Sequence, residues 1–318
     1  MIRIEAIPVL AAKLAAELKS SGGEHSARIA KKIRAKRILT PTIGNRAAGV
    51  SAHNRQFLFD RKENEMLKRL AVFTFGAVSY MVFFGTFIYA CMFIGNFGPP
   101  KSLDSLGEGP WQTALVIDTG LLSLFALQHS IMARPAFKGL LTRVIPHEAE
   151  RSTYVLASSL ALLLLFWQWR PLGGLVWDVQ NQAGRVLLYG AYAFGWLLVL
   201  VATFVINHFD LFGLRQVTRF LLGQPKNELR FVTPLLYRIV RHPLYVGWFC
   251  AFWFTPTMTV THLFFAAVTS AYILVAIQLE ERDLMLVHPE YVEYRKQVPM
   301  MVPSWPQQEV RIPSEVHG

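Results

Sequence analysis

Residues suited to binding a charged cofactor are concentrated in two stretches near the C-terminus of this 318-residue chain. The first comprises residues 241–247, with the sequence RHPLYVG, and the second is the pair Glu280 and Glu281. An arginine beside a helix N-terminus is suited to a carboxylate, whereas paired glutamates are suited to an ammonium group and ribose hydroxyls. Together these side chains predict a site for a zwitterionic, nucleotide-like cofactor.

The residues that shape the backbone at this position are also suited to a binding site at the start of a helix. Pro243 has a backbone geometry suited to the first turn of a helix, and Gly247 lets a ligand or a second helix approach closely. Tyr291, Tyr294 and Arg295 have the i, i+3, i+4 spacing of one helix face, which would add aromatic lining and a cation. The alternative is that these charges only anchor the ends of membrane helices.

Two further sets of polar residues interrupt or end apolar segments. Asp118 and His129 are 11 residues apart, which is about 20° past three helical turns, so they share one stripe. Polar residues inside a membrane usually face the bundle interior and are functional by default. His208 and Asp210 follow the fourth apolar segment, where they would bind a ligand or cap the helix. For both sets, a structural role remains the alternative.

The composition indicates the elements that must position these residues. The chain is 53% hydrophobic and 17% charged, compared with roughly 25% charged residues in an average soluble protein. Apolar runs of about 20 residues match the ~30 Å thickness of the hydrocarbon core of a membrane. Six apolar segments are visible: 70–94, 113–132, 153–169, 186–206, 244–259 and 262–279.

Basic residues alternate between the connecting loops. Loops 133–152 and 207–243 are rich in Lys and Arg, whereas loops 95–112 and 170–185 have few, so the positive-inside rule places the first pair in the cytosol. The sequence therefore predicts an all-α polytopic membrane bundle with about six spans and cytosolic termini. The last two spans are short, and we expect them to form a tilted hairpin.

The net charge of +11 is located mainly in the N-terminal region. Residues 1–69 contain 15 Lys or Arg against 6 Asp or Glu. No aromatic ladder accompanies these charges, which argues against nucleic acid and favours contact with anionic lipid headgroups. We expect residues 1–65 to be a basic, disordered extension upstream of a translation start at Met66, and residues 66–318 to form the membrane domain.

Several other classes are disfavoured. Cys91 and Cys250 lie in separate apolar runs, which supports neither a disulfide framework nor a cysteine-based zinc site. No His-x-x-His or His-Glu-x-x-His pair is present, so we expect no metal. A soluble Rossmann enzyme is excluded because no G-x-G-x-x-G follows a strand, and the absence of repeats disfavours a transporter.

The C-terminal pattern resembles the signature of the isoprenylcysteine carboxyl methyltransferase and phospholipid methyltransferase superfamily of membrane enzymes. Three further stretches resemble the bacterial methanethiol S-methyltransferases: 128–135 (QHSIMARP), 148–154 (EAERSTY) and 208–216 (HFDLFGLRQ). The nuclear-envelope protein nurim shares part of this pattern. The resemblance covers about residues 66–318, and the C-terminal signature indicates the cofactor rather than the substrate.

The resemblance implies S-adenosylmethionine as methyl donor and methanethiol as acceptor, giving dimethyl sulfide in a bacterial inner membrane. The implied cofactor-binding residues are Arg241, His242, Pro243, Tyr245, Gly247, Glu280, Glu281, Tyr291, Tyr294 and Arg295. A thiolate is the competent nucleophile, so a base is needed, and His129, His208 and Asp210 are the catalytic candidates. Neither nucleic acid nor an obligate protein partner is expected.

Two alternatives remain open at this point. The same fold would also serve another acceptor, either a prenyl-cysteine carboxylate or a lipid amine, because the sequence does not show the size of the pocket. A non-enzymatic membrane protein of the nurim kind is the second alternative. The intact residues 241–247 and the two glutamates argue against it.

Overall fold

The computed structural model describes residues 47–98, 101–105, 107, 109–225 and 235–303, and these residues are mostly helical. In chain order the elements are α1 (Ala47–Gly95), α2 (Trp111–Ala133), α3 (Pro135–Leu141), a 3₁₀ turn (His147–Ala149), α4 (Glu150–Gln168), β1 (Leu175–Asp178), α5 (Gln182–Ile206), α6 (His208–Leu211), α7 (Leu214–Leu221), α8 (Leu235–Ile239), α9 (Pro243–Trp253), β2 (Thr257–Thr259), α10 (Val260–Val287) and α11 (Pro289–Gln297).

Five helical segments in the described part of the chain are long and apolar enough to cross a membrane. They are Arg61–Gly95, Trp111–Ala133, His147–Gln168, Gln182–Ile206 and Val260–Val287. The predicted all-α, polytopic membrane bundle is therefore confirmed. The predicted span 244–259 corresponds instead to α9, whose 11 residues rise only about 16 Å, roughly half of the hydrocarbon thickness.

Helix α10 is longer than the apolar run that predicted it. It has 28 residues, so Glu280 and Glu281 lie inside the helix rather than at its end. The residues after the apolar run are good helix formers, and buried Glu281 is paired with cationic side chains from other elements. At its start, the side chain of Thr259 caps α10 by accepting a hydrogen bond from the backbone N–H of His262.

The chain divides into two compact units, with a boundary between Ala71 and Val72. Residues 1–46, which contain most of the predicted extension, lie outside the described residues. Helix α1 begins at Ala47, so residues 47–53, which have a loop-like sequence, are helical. The role of Met66 as a translation start remains a prediction.

A small antiparallel sheet joins β1 to β2, and the sequence analysis missed it. Leu175 pairs with Thr259 and Asp178 pairs with Thr257, with a bulge between the two pairs. Strands of three or four residues are too short to show an alternating pattern. Strand β2 forms the connection between α9 and α10, the two segments of the predicted hairpin.

The loops meet at two ends, grouped as the charge alternation predicts. At one end, Lys101 Nζ donates to the carbonyl of Trp167 at 2.5 Å. At the other end, Arg134 and Asp283 form an ion pair with 3.3 Å between Nη1 and Oδ2. Between the ends, the core is rich in aromatic rings, among them Trp169, which is fully buried.

Candidate active site

A buried ion cluster forms where α9 begins, around the carboxylate of Glu281 on α10. Its Oε1 accepts a hydrogen bond from Arg241 Nε at 2.8 Å and lies 3.0 Å from His242 Nε2. Its Oε2 lies 3.0 Å from Arg295 Nε on α11. The side chain of Glu281 is only 2% exposed. We call these four residues the ion cluster; three separate parts of the chain build it, as the C-terminal pattern predicted.

The chain after α11 closes over this cluster. Arg241 Nη1 donates to the carbonyl oxygens of Arg295, at 2.8 Å, and Val298. The backbone N–H groups of Arg241 and His242 donate to the carbonyls of Pro299 and Met300 at 2.9 and 3.1 Å. The Arg241 guanidinium is therefore committed to internal acceptors. It holds the C-terminal segment as well as the glutamate.

Glu280 and Tyr245 form a second contact beside the ion cluster. The Tyr245 hydroxyl donates to Glu280 Oε2 at 3.0 Å, which links α9 to α10. The two predicted site tyrosines on α11 have a different setting. Tyr291 and Tyr294 are buried in a small core with Leu284. Burial raises the pKa of both phenols, so they remain protonated and hold α11 against its neighbours.

Gly247 is explained by helix packing. A Cβ atom added at Gly247 would lie 2.8 Å from the carbonyl oxygen of Gly195 on α5 and 2.9 Å from the backbone N of Val199. A side chain at Gly195 meets the same obstacle, because a Cβ atom there would lie 2.8 Å from the carbonyl oxygen of Gly247. Of the two explanations left open by the sequence, the structure shows the close approach of a second helix.

His129 lies in a hydrogen-bonded network between α2 and α4. The Tyr154 hydroxyl lies 2.9 Å from its Nε2 and 3.1 Å from its Nδ1, while Ser158 Oγ lies 3.3 Å from Nδ1. Gln128 Nε2 also donates to Ser158 Oγ, at 3.3 Å. Asp118, on the same stripe of α2, accepts from the backbone N of Arg170 just beyond α4. The stripe therefore faces the following helix, as its spacing predicts.

His208 lies at the break between α5 and α6. Its Nε2 is 2.9 Å from the Tyr80 hydroxyl, and its Nδ1 is 2.8 Å from Thr203 Oγ1. The ring of Phe204 stacks on the imidazole with centroids 4.2 Å apart. Asp210 forms an ion pair with Arg215, with 2.9 Å between Oδ2 and Nη1. Both predicted residues thus have partners within their own segment or on α1.

The structure separates the predicted site residues into groups. The predicted cofactor residues meet around Glu280 and Glu281 or support the helices that carry them. His129 belongs to a neighbouring network on α2 and α4. Among the described residues, no hydrogen bond joins His208 or Asp210 to either group. Tyr154 and Tyr272 are the residues that the sequence analysis did not assign, and phenols inside apolar helices were the available signal.

These features define a class: an integral membrane α-helical protein with adjoining buried polar networks, organised as an enzyme is. The chain is 56% identical over 241 residues to methanethiol S-methyltransferase of Crocosphaera subtropica, which covers 76% of this chain and 94% of that protein. It is 49% identical over 241 residues to methanethiol S-methyltransferase of Mycobacterium tuberculosis, covering 76% and 98%. This chain belongs to the methanethiol S-methyltransferase family.

A more distant similarity extends to nurim. Nurim of Xenopus laevis is 31% identical over 188 residues, which cover 57% of this chain and 66% of that protein. No family model matches the chain, and no solved structure matches it. The predicted resemblance to both groups is confirmed.

Proposed function

We propose that this chain transfers a methyl group from S-adenosylmethionine to methanethiol, giving dimethyl sulfide, in a bacterial inner membrane. The observation that carries the proposal is the 56% identity to a methanethiol S-methyltransferase over 94% of that protein's length. The aligned part is therefore nearly the whole of that relative and about three quarters of this chain, 76%.

The chemistry of the donor set is compatible with the cofactor. The ligand is a zwitterion with a carboxylate, an ammonium group and a sulfonium, so its site needs groups of both signs. Arg295 supplies a positive charge whose side chain is 43% exposed. Glu280 precedes Glu281 on α10, and its Oε2 accepts a hydrogen bond from Tyr245. We assign the carboxylate to Arg295 and the cationic groups to Glu280.

Glu281 then has a different role from Glu280. Its two oxygens already face three internal cationic or ionisable groups. Breaking such a buried pair by removing one partner costs about 3–5 kcal/mol. Glu281, Arg241 and His242 therefore set the position of α9 relative to α10, and through it the position of Tyr245.

Bound S-adenosylmethionine supplies a methyl carbon whose bond to the positively charged sulfur breaks, leaving the electron pair on that sulfur. The chain's own residues must exclude water, align the acceptor and remove its proton. His129 is the proposed base, because its network adjoins α10. His208 and Asp210 remain candidates only on the basis of the resemblance.

The direct test is a headspace assay for dimethyl sulfide, with purified full-length protein, methyl-labelled S-adenosylmethionine and methanethiol. We expect labelled dimethyl sulfide in the gas phase. Label found only in lipid or in a prenylated peptide would favour another acceptor. Label incorporated into no acceptor would favour the nurim-like alternative.

A paired variant tests the cofactor assignment. Glu281→Gln should raise the dissociation constant of the cofactor by about ten- to a hundredfold or more, because it weakens the charge-assisted hydrogen bonds to Arg241, His242 and Arg295 that hold α9 and Tyr245 in position, and such bonds contribute roughly 1.5–3 kcal/mol. Glu293→Gln is the matched control, since Glu293 lies on α11 with its side chain 58% exposed. Calorimetric titration measures both. Normal cofactor binding by a folded Glu281→Gln variant would contradict the assignment.

A further inference from the structure

Three tyrosine side chains from three different helices converge beside the ion cluster. They are Tyr154 on α4, Tyr245 on α9 and Tyr272 on α10. Each pair among the three lies close enough to interact electrostatically. We call them the tyrosine cluster; phenols so close together inside an apolar bundle need polar partners or a ligand.

Each hydroxyl of the tyrosine cluster forms a hydrogen bond with a different neighbour. Tyr154 lies 2.9 Å from His129 Nε2, and Tyr245 donates to Glu280 at 3.0 Å. Tyr272 shares a hydrogen bond of 3.0 Å with Ser130 Oγ. The cluster therefore lies between the proposed cofactor residues and the proposed base. A methyl group transferred from the cofactor to a thiol beside the base would therefore move at this point.

A second, independent observation comes from Gln128. Its side-chain nitrogen donates to Ser158, but its side-chain oxygen is buried and has no hydrogen-bond partner among the described residues. A buried acceptor without a donor costs about 1–3 kcal/mol. The neighbouring His129 network offers no donor to it. A bound molecule with a weakly acidic hydrogen would supply the missing donor.

We propose that the acceptor thiol binds in the tyrosine cluster, with its S–H directed at the side-chain oxygen of Gln128, and that Tyr154 is a positioning residue for His129. This inference rests on the proposed function and adds the acceptor subsite to it. The ligand class is a small, neutral thiol. The phenol rings supply an apolar wall for its methyl group, and a sulfur–hydrogen group is a weak donor suited to a lone amide oxygen.

The proton transfer balances without another reactant. The thiol S–H turns from the side-chain oxygen of Gln128 to the imidazole of His129, which takes the proton, and the electron pair stays on the thiol sulfur. That sulfur forms the new bond to the methyl carbon as the old carbon–sulfur bond breaks. His129 then returns its proton to solvent. Since Tyr154 contacts the nitrogen edge of His129, it fixes the orientation of the ring.

The variants Gln128→Leu, Tyr154→Phe and Tyr192→Phe separate these roles. Gln128→Leu should raise the dissociation constant and KM for methanethiol about three- to tenfold. Tyr154→Phe should lower kcat by about ten- to a hundredfold and shift the pH–rate profile, with a smaller change in KM. Tyr192→Phe is the control, because its hydroxyl donates to the carbonyl of Cys91 on α1, away from the cluster.

Direct titration of methanethiol into the cofactor-bound wild type and each variant provides a readout that does not need turnover. If wild type binds methanethiol but forms no dimethyl sulfide, the proposed function fails, and weaker binding by Gln128→Leu still supports the subsite. The subsite is overturned if wild type does not bind methanethiol, or if Gln128→Leu and Tyr154→Phe both match Tyr192→Phe. Unchanged cofactor affinity in all three variants separates the subsite from the ion cluster.

Discussion

His129 and His208 both come from motifs that resemble the same family, but the structure places them in separate hydrogen-bonded networks. Both ring nitrogens of His208 have hydroxyl partners, in Tyr80 and Thr203, and its ring is stacked on Phe204. His129 also has hydroxyl partners. However, the next side chain, Gln128, has a buried oxygen without a partner among the described residues.

The difference teaches how to separate a structural histidine from a functional one. A polar network that satisfies all its own groups is complete and needs no ligand. The His208 imidazole fits that description, and it lies next to the backbone break, where Asn207 has a φ of 141°. Such a conformation is costly for a non-glycine residue and persists only when its surroundings enforce it. The segment after His208 also holds a buried amide oxygen without a partner among the described residues, that of Gln216, so an unpartnered oxygen alone does not distinguish the two histidines. What distinguishes His129 is its position, because its partner Tyr154 belongs to the tyrosine cluster, next to the proposed cofactor residues.

The largest expected effect is that of His129→Ala on turnover. Loss of a general base typically lowers the rate about 10²- to 10⁴-fold, so we expect kcat to fall within that range while the cofactor affinity stays near that of wild type. The headspace assay and calorimetry measure the two quantities. His147→Ala is the control, because the side chain of His147 is 61% exposed. Wild-type kcat in His129→Ala would remove the basis for the comparison.

The second effect is that of His208→Ala, and it should fall on stability. The substitution removes the partner of the Tyr80 hydroxyl, whereas Thr203 keeps its hydrogen bond to the carbonyl of Leu200, and a buried group left unsatisfied costs about 1–3 kcal/mol. We expect a lower Tm in detergent, with turnover reduced by only a few-fold. A wild-type Tm combined with a hundredfold loss of kcat would instead place His208 in the active site, as the resemblance alone implied.

The sequence predicted the parts of the fold that depend on local hydrophobicity. Long apolar runs and loop charges predicted the membrane helices and the grouping of the loops. The partners of Glu281 inside α10 were not predictable in detail, because Arg241 and Arg295 belong to other elements of the chain. The β1–β2 sheet was missed because its strands are too short to show a pattern.

The sequence predicted which residue types form the site, but it did not predict the role of each residue. The pattern at 241–247 and 280–281 indicated a charged site, yet only the contacts show that Glu281 is fully engaged by internal partners. Gly247 had two possible explanations. A Cβ atom added there would lie 2.8 Å from the carbonyl oxygen of Gly195, which decides for close helix packing. Tyr154 lies in a quoted motif, but its role depends on His129 of another helix, which no local pattern reveals.

The smallest expected effect is a dependence of stability on pH that originates at His208. Burial lowers the pKa of His208, so the folded protein favours the neutral imidazole. The unfolded chain has the ordinary histidine pKa of about 6.5 and therefore binds a proton first as the pH falls. The contribution of His208 to stability is complete above that value, and it decreases as the pH falls from about 6.5 toward the lower pKa of the folded state.

We expect the Tm of wild type in detergent to decrease between pH 7.5 and pH 5.5 more steeply than that of His208→Gln, because glutamine does not titrate in this range. His147→Gln controls for the loss of an exposed imidazole. If wild type and His208→Gln lose the same number of degrees, the buried imidazole contributes nothing to the acid sensitivity. The contrast between His208 and His129 would then rest on the positions of the two residues alone.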